Sequence, residues 1–278
     1  MLRGIQSAAA GMIALQRKQD VLTNNLANLD TPGFKKEVTV LRAFPDMLLE
    51  RINDLETKGT SSNKIGTLQQ GVYAQENIPI FSQGDFVTTD RPFDAAIDDA
   101  DMAGVIQNGR YIKPSVMFTV QDAEGNIRYT RNGRFTVNET GELTTMEGYK
   151  VLNSFGQPIF HPELASGDIQ ISETGDIILH PDKTDRQTIG RIRLAYIENP
   201  DELIKEGNDV YRLDGANPLE ANNMGVVKLR HKMVERANVD ATQTMSEMMV
   251  NLRLYEANQK VLQAYDRSLE QLNTIGKV

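Results

Sequence analysis

NNLANLDTPGFKK, residues 24–36, decides how the chain is read. Its leucines fall where a helix buries them, asparagines crowd beside them, and a proline-glycine pair closes the helix. Upstream, Ile5, Ala8, Met12, Leu15, Gln19, Leu22, Leu26 and Leu29 follow alternating three- and four-residue steps. That is a heptad seam with one polar interruption. Pro32 biases Thr31 away from helical angles, and Pro32-Gly33 suits the central positions of a type II turn. The helix is therefore expected to end at about residue 29 or 30.

A second helix is expected over RAFPDMLLERINDLE, with Met47, Leu48, Ile52 and Leu55 on one face and Pro45 near its first turn. TKGTSSNK (57–64) has linker composition. From Gly66 the texture changes. Gly125, Gly133, Gly141, Gly148 and Gly156 recur every seven or eight residues, with short runs of β-formers between them such as VMFTVQ, IRYTR and RFTVN. This is a β-meander signal, and it continues to RIRLAYI.

The last forty residues are helical again. Asp240 with Gln243, or Thr244 with Glu247, supplies a capping box. Ala241, Met245, Met248, Leu252 and Tyr255 continue in three- and four-residue steps. The apolar face then drifts to Val261, Leu262, Tyr265, Leu269 and Leu272. The fold class is α+β, with terminal helices pairing as a coiled coil around an intervening all-β domain. Four parts follow: an amino-terminal helix (1–30), a turn, second helix and linker (31–65), a β-rich domain (66–232) and a carboxy-terminal helix (233–278).

Composition narrows the function. Cysteine is absent, so disulfides, thiolate metal sites and cysteine nucleophiles are excluded. Residues 66–234 carry 16 basic and 25 acidic groups while both ends are near neutral, and such an acidic middle argues against nucleic acid as partner. No apolar run reaches the roughly 20 residues that span a bilayer. Gln6 and Ser7 interrupt the opening apolar stretch and helical periodicity runs past any cleavage point, so it reads as helix and not as a cleaved signal.

His161, His180 and His231 are isolated, and no phosphate-binding loop or nucleophile elbow occurs. Asp98, Asp99 and Asp101 before Gly104 hint at a calcium loop, but Ala103 and Arg110 fall at ligand positions. Neither a metal nor a cofactor is expected. The amides Asn24, Asn25, Asn28, Asn251, Asn258, Gln259, Gln263, Gln271 and Asn273 are many for a free-standing coil. They lie either on solvent faces or in an assembly where buried amides fix register between subunits.

The same stretch resembles a known family, the flagellar basal-body rod proteins, which are related to the hook protein. NNLANLDTPGFKK is similar to the family's amino-terminal signature. ERANVDATQTMSEMMVNLRLYEANQKVLQAYD (235–266) resembles its carboxy-terminal one, and YTRNGRFTVNETGELTTMEGYKVL (129–152) its β segment. Ala237 stands where a serine is common. FDAAIDDADMAGV keeps Asp94, Ala96 and Ile97 of the family pattern and loses its glycines and paired aromatics. The chain looks most like the hook-and-rod paralogue of Gram-positive bacteria.

The resemblance implies a non-catalytic structural subunit of the basal-body rod, lying outside the cytoplasm. It would be exported by the flagellar type III apparatus without a cleaved signal and polymerised helically with copies of itself and other rod and hook proteins. A hook or junction protein of the same family is the alternative, and a cell-wall hydrolase a more distant one. The implied assembly interface takes Leu22, Leu26 and Leu29 for burial, Asn24, Asn25 and Asn28 for register, and Thr31, Pro32, Gly33 and Phe34 for the turn. On the other helix it takes Asn238, Val239, Asp240, Met245, Met248, Leu252, Arg253, Tyr255, Glu256, Asn258, Gln259, Lys260 and Leu262. Neither nucleic acid nor membrane insertion is implied.

Overall fold

A computed structural model describes residues 2–51, 63–68, 71–107, 109–181, 186–214, 218–223 and 225–276. The chain forms two compact units, one from residues 1–27, 37–78 and 240–278, the other from 28–36 and 79–239.

In the first unit, helix α1 (Leu2–Ala27) pairs with helix α2 (Ala241–Ile275). Gly4 abuts Tyr265, Gly11 lies against Asn258, and Asn251 bonds Leu15 and Gln19. Rising along one helix descends the other, so the pair is antiparallel. The seam expected on α1 is formed: Ala8 and Leu22 are buried, and Ile5, Met12, Leu15, Gln19 and Leu26 are half-buried. α1 stops at Ala27, slightly earlier than expected, where Thr31 N–H closes a turn on the Asn28 carbonyl at 3.1 Å. The Asp240 carboxylate caps α2 by accepting from the Gln243 N–H at 2.9 Å.

The register expected on α2 needs correction. Its less exposed positions are Thr244, Met248, Asn251, Tyr255, Asn258, Leu262 and Tyr265, an unbroken four-three alternation. Met245 and Leu252 sit one residue off this stripe and are 49% and 46% exposed. The inward stripe thus sets Thr244, Asn251 and Asn258 between Met248, Tyr255, Leu262 and Tyr265. Small residues on α1 explain this: Gly4 and Gly11 let the helices approach closely enough to seat Tyr265 and an amide, with no room for another row of long aliphatic side chains.

Between the helices in sequence lies a two-stranded ribbon. Strand Glu37–Ala43 pairs with Val72–Pro79, and Met47–Arg51 pairs antiparallel with Asn63–Leu68, from Met47 opposite Leu68 to Arg51 opposite Asn63. This overturns the second helix expected from Arg42 onward: the segment is extended over Met47–Arg51, while Ile52 and Leu55 lie outside the described residues. The run Met47-Leu48-Leu49 suits strand or helix locally, and the distant partner Asn63–Leu68 decides. Pro45, with no N–H to donate, falls in the break between the two ladders.

The second unit is β-rich. Its central strand Ser115–Gln121 pairs with Ile127–Thr130 on one edge, and on the other with Lys150–Val151 and Leu194–Ile197 in turn. Successive side chains of this strand enter different cores. Val116, Phe118 and Val120 join Phe135, Leu143, Ile177, Leu179 and Ile192; Met117 joins Tyr129, Ile197, Leu203 and Tyr211. The meander is present as Phe135–Val137, Leu143–Thr145 and Lys150–Val151, paired in turn, while Ile127–Thr130 forms a hairpin with the central strand. The turns close at the expected glycines, Gly125 on Asp122 and Gly148 on Thr145. Gly133 has a different reason to be glycine, because any Cβ there would overlap the Ala95 carbonyl.

Candidate assembly surfaces and a buried charge cluster

The proline-glycine turn comes first, since the second unit is built around it. Phe34 N–H bonds the Thr31 carbonyl at 3.3 Å and Gly33 has φ +74°, as a type II turn requires at its third position. A Cβ on Gly33 would lie 2.5 Å from the Arg131 carbonyl carbon and 2.6 Å from Asn132 N. The turn therefore presses directly on the backbone of the meander. Phe34 and Lys35 follow it into the interior, both 1% exposed, and the Lys205 ammonium stands 4.5 Å from the Phe34 ring centroid.

Lys35 enters a closed ionic cluster. Its Nζ donates to Glu235 Oε1 at 2.7 Å and to the Ser82 carbonyl at 2.9 Å. Arg131 Nε donates to Glu235 Oε2 at 2.6 Å, Nη1 to Asp99 Oδ2 at 2.7 Å and to the Val116 carbonyl, and Nη2 to the Ile97 carbonyl at 3.0 Å. The Gly84 N–H takes the remaining approach to Glu235 Oε1 at 2.8 Å. Two cations meet two carboxylates, so the cluster is neutral, as buried charge must be.

Burial lowers the Lys35 pKa to about 8, helped by the neighbouring Arg131 and opposed by Glu235. For Arg131 burial acts downward too, but Glu235 and Asp99 outweigh it and hold the guanidinium charged. Burial pushes the Glu235 and Asp99 carboxyls up, and Arg131 and Lys35 pull both below the usual carboxylate range. Beside the cluster, Asn238 accepts from the Lys36 N–H at 2.7 Å and donates to the Ile80 carbonyl at 2.7 Å. Gly33 N–H bonds the Glu235 carbonyl at 2.8 Å. The segments 33–36 and 235–238 are thereby laced together.

These contacts resolve the acidic run. Asp99 belongs to the cluster, and Asp98 takes Arg230 at 2.6 Å; among the described residues no group of side chains suited to a metal is found. The histidines serve local structure. His161 Nδ1 accepts from Glu163 N–H, His180 bonds Asp168 at 2.9 Å, and His231 Nε2 donates to the Pro92 carbonyl at 2.7 Å.

The amides divide. Asn25 is buried and bonds both backbone groups of Glu37, donating at 2.8 Å and accepting at 3.0 Å; Asn251 is buried and donates to the Leu15 carbonyl at 2.8 Å and to Gln19 Oε1 at 2.9 Å. They set register inside the chain. Asn24 and Gln259 are exposed.

The expected interface residues are distributed likewise. Leu22, Gly33 and Phe34 are buried, and Leu26, Asn28, Leu29, Thr31, Pro32, Asn238 and Val239 half-buried. Met248, Tyr255, Asn258 and Leu262 lie on the inward stripe of α2. Met245, Leu252, Arg253, Glu256, Gln259 and Lys260 are exposed on it. The exposed set is extended by Met249, Val250, Leu254, Val261 and Leu272. Sequence reasoning missed the roles of Lys35, Arg131 and Glu235. The available signal was that each lies inside one of the quoted signature stretches.

Comparison with known proteins finds three matched stretches along the chain. The family described as "Flagella basal body rod protein" matches residues 5–35, "Flagellar hook protein FlgE/F/G D1 domain" matches 111–179, and "Flagellar basal body rod FlgEFG protein C-terminal" matches 230–275. The chain is 37% identical to the flagellar hook-basal body complex protein FlhO of Bacillus subtilis over the full length of both. It is 32% identical to the flagellar basal-body rod protein FlgG of Caulobacter vibrioides, with 97% of each chain covered, and 30% to that of Bacillus subtilis, with 98% of each covered. The chain belongs to the flagellar rod and hook protein family, the FlgE/F/G family of structural proteins.

Proposed function

We propose that this chain is a non-catalytic axial subunit of the flagellar basal-body rod. It is exported without a cleaved signal through the flagellum's type III apparatus and polymerises helically with copies of itself and other rod and hook proteins. The paired helices α1 and α2 form the inner layer of the shaft, and the β-rich part lies in its outer layer.

One observation carries this reading: α2 leaves apolar side chains exposed on both flanks of the stripe that meets α1. It seats Thr244, Asn251 and Asn258 among Met248, Tyr255 and Leu262 on the inward stripe, and leaves Met245, Met249 and Leu252 exposed on one flank and Val261 and Leu272 on the other. Each is already about half covered, so covering the rest is worth about 1 kcal/mol apiece, which favours further helices packing on both flanks. No helix among the described residues is long and apolar enough to cross a membrane.

The hook remains the second reading, because residues 111–179 match the hook protein D1 description. Deleting the coding region and imaging the cells decides between them. A rod part predicts loss of hook and filament together, restored by the intact chain and not by one lacking residues 2–30. Complete rods that lack hooks favour the hook reading, and normal filaments with normal swimming oppose both.

A further inference from the structure

The four charged residues of the buried cluster come from distant parts of the sequence: Lys35, Asp99, Arg131 and Glu235. Lys35, Arg131 and Glu235 fall one in each of the three family-matched segments. Without Glu235, the interior would hold two cations against Asp99 alone. Desolvating an unbalanced charge is costly, and joining positions 200 residues apart carries the largest loop-closure cost of any pair in the cluster.

We propose that this cluster is a closing latch: the β-rich unit completes its core only when the segment preceding α2 delivers Glu235 to Lys35 and Arg131. Earlier arrivals leave the site open, since Gly84 N–H, Lys35 Nζ and Arg131 Nε all await the same carboxylate. Local pairings, such as Ser115–Gln121 with Ile127–Thr130, need no such partner and form first. A chain that stays open until its last β segment has arrived suits passage, amino end first, through a narrow channel. That use rests on the export proposed above; the latch itself does not.

Pulsed hydrogen exchange during refolding of the full chain tests the order. The amides of Gly84 and Val116, which bond Glu235 and Asp99, should become protected together with Gly33 and Arg236, after the hairpin positions that pair Phe118–Gln121 with Ile127–Thr130. Protection of Val116 and Ala95 before Gly33 and Arg236 overturns the latch. Glu235→Gln should unfold at least about tenfold faster with hairpin protection unchanged. Lys35→Met/Glu235→Gln, which leaves the neutral Arg131–Asp99 pair, should recover most of that loss. If Glu235→Gln does not fold, the double variant carries the test. An unchanged unfolding rate in the single variant, or a double variant as impaired as the product of the two singles, overturns the charge balance. Both measurements use the isolated chain, so their failure leaves the rod reading standing.

Discussion

The Lys35 ammonium lies 2.7 Å from the Glu235 carboxylate across 200 residues of sequence, with both side chains 1% exposed. The pair joins the segment that follows α1 to the segment that precedes α2. It places two residues of the terminal signatures in the interior of the β-rich unit, where Arg131 and Asp99 complete the charge balance.

An acid dependence follows. Burial raises the Glu235 and Asp99 carboxyls, and Arg131 overcomes it, so both titrate below their ordinary values of 4.5 and 3.8. A depressed folded pKa contributes stability that is present above the unfolded value and lost as pH falls through the folded one. Urea midpoints followed on the β-rich unit should decline gently as pH falls through about 6.5, since burial holds the His231 imidazole below its ordinary value, and drop further below about pH 5. Lys35→Met/Glu235→Gln should show a shallower acid limb; an identical limb would place the dependence elsewhere.

Gly33→Ala should destabilise the same unit by about 2–4 kcal/mol. The substitution puts a Cβ at φ +74° and within 2.6 Å of the Arg131–Asn132 peptide, which cannot retreat without moving Arg131. Equilibrium denaturation measures the loss. A wild-type midpoint would mean that the turn stands off the meander.

Asn25→Ala removes both bonds to the Glu37 backbone and should cost about 1–3 kcal/mol. The reporter is hydrogen exchange at the Glu37 amide, which should speed up while amides in the middle of α1 keep their protection. Unchanged exchange at Glu37 would show that another acceptor holds it.

Leu252→Glu separates folding from assembly. Leu252 is exposed, so stability of the free chain should stay within about 0.5 kcal/mol, while polymerisation and swimming should be lost if this face is covered by neighbours. Wild-type swimming would remove Leu252 from the interface. Leu22→Asp, at a buried position, should instead disrupt the helix pair itself, which circular dichroism would register.

Sequence alone determined what depends on neighbours a few residues apart. The three-four spacing from Ile5 to Leu26 made α1, Asp240 capped α2, Pro32-Gly33 set a type II turn, and regular glycines marked the meander. Each rests on local backbone sterics and hydrogen bonding, which travel with the residues.

Tertiary structure decided the rest. Met47–Arg51 became a strand because Asn63–Leu68 offered it a ladder that no local pattern announces. The stripe of α2 nearest α1 runs through Thr244, Asn251 and Asn258, where apolarity pointed to Met245 and Leu252, because the glycines of α1 fix how closely the helices approach. Charged Lys35, Asp99, Arg131 and Glu235 carry no local mark of burial until the fold supplies each with its partner. Burial of charge is a property of the set, and only the fold assembles the set.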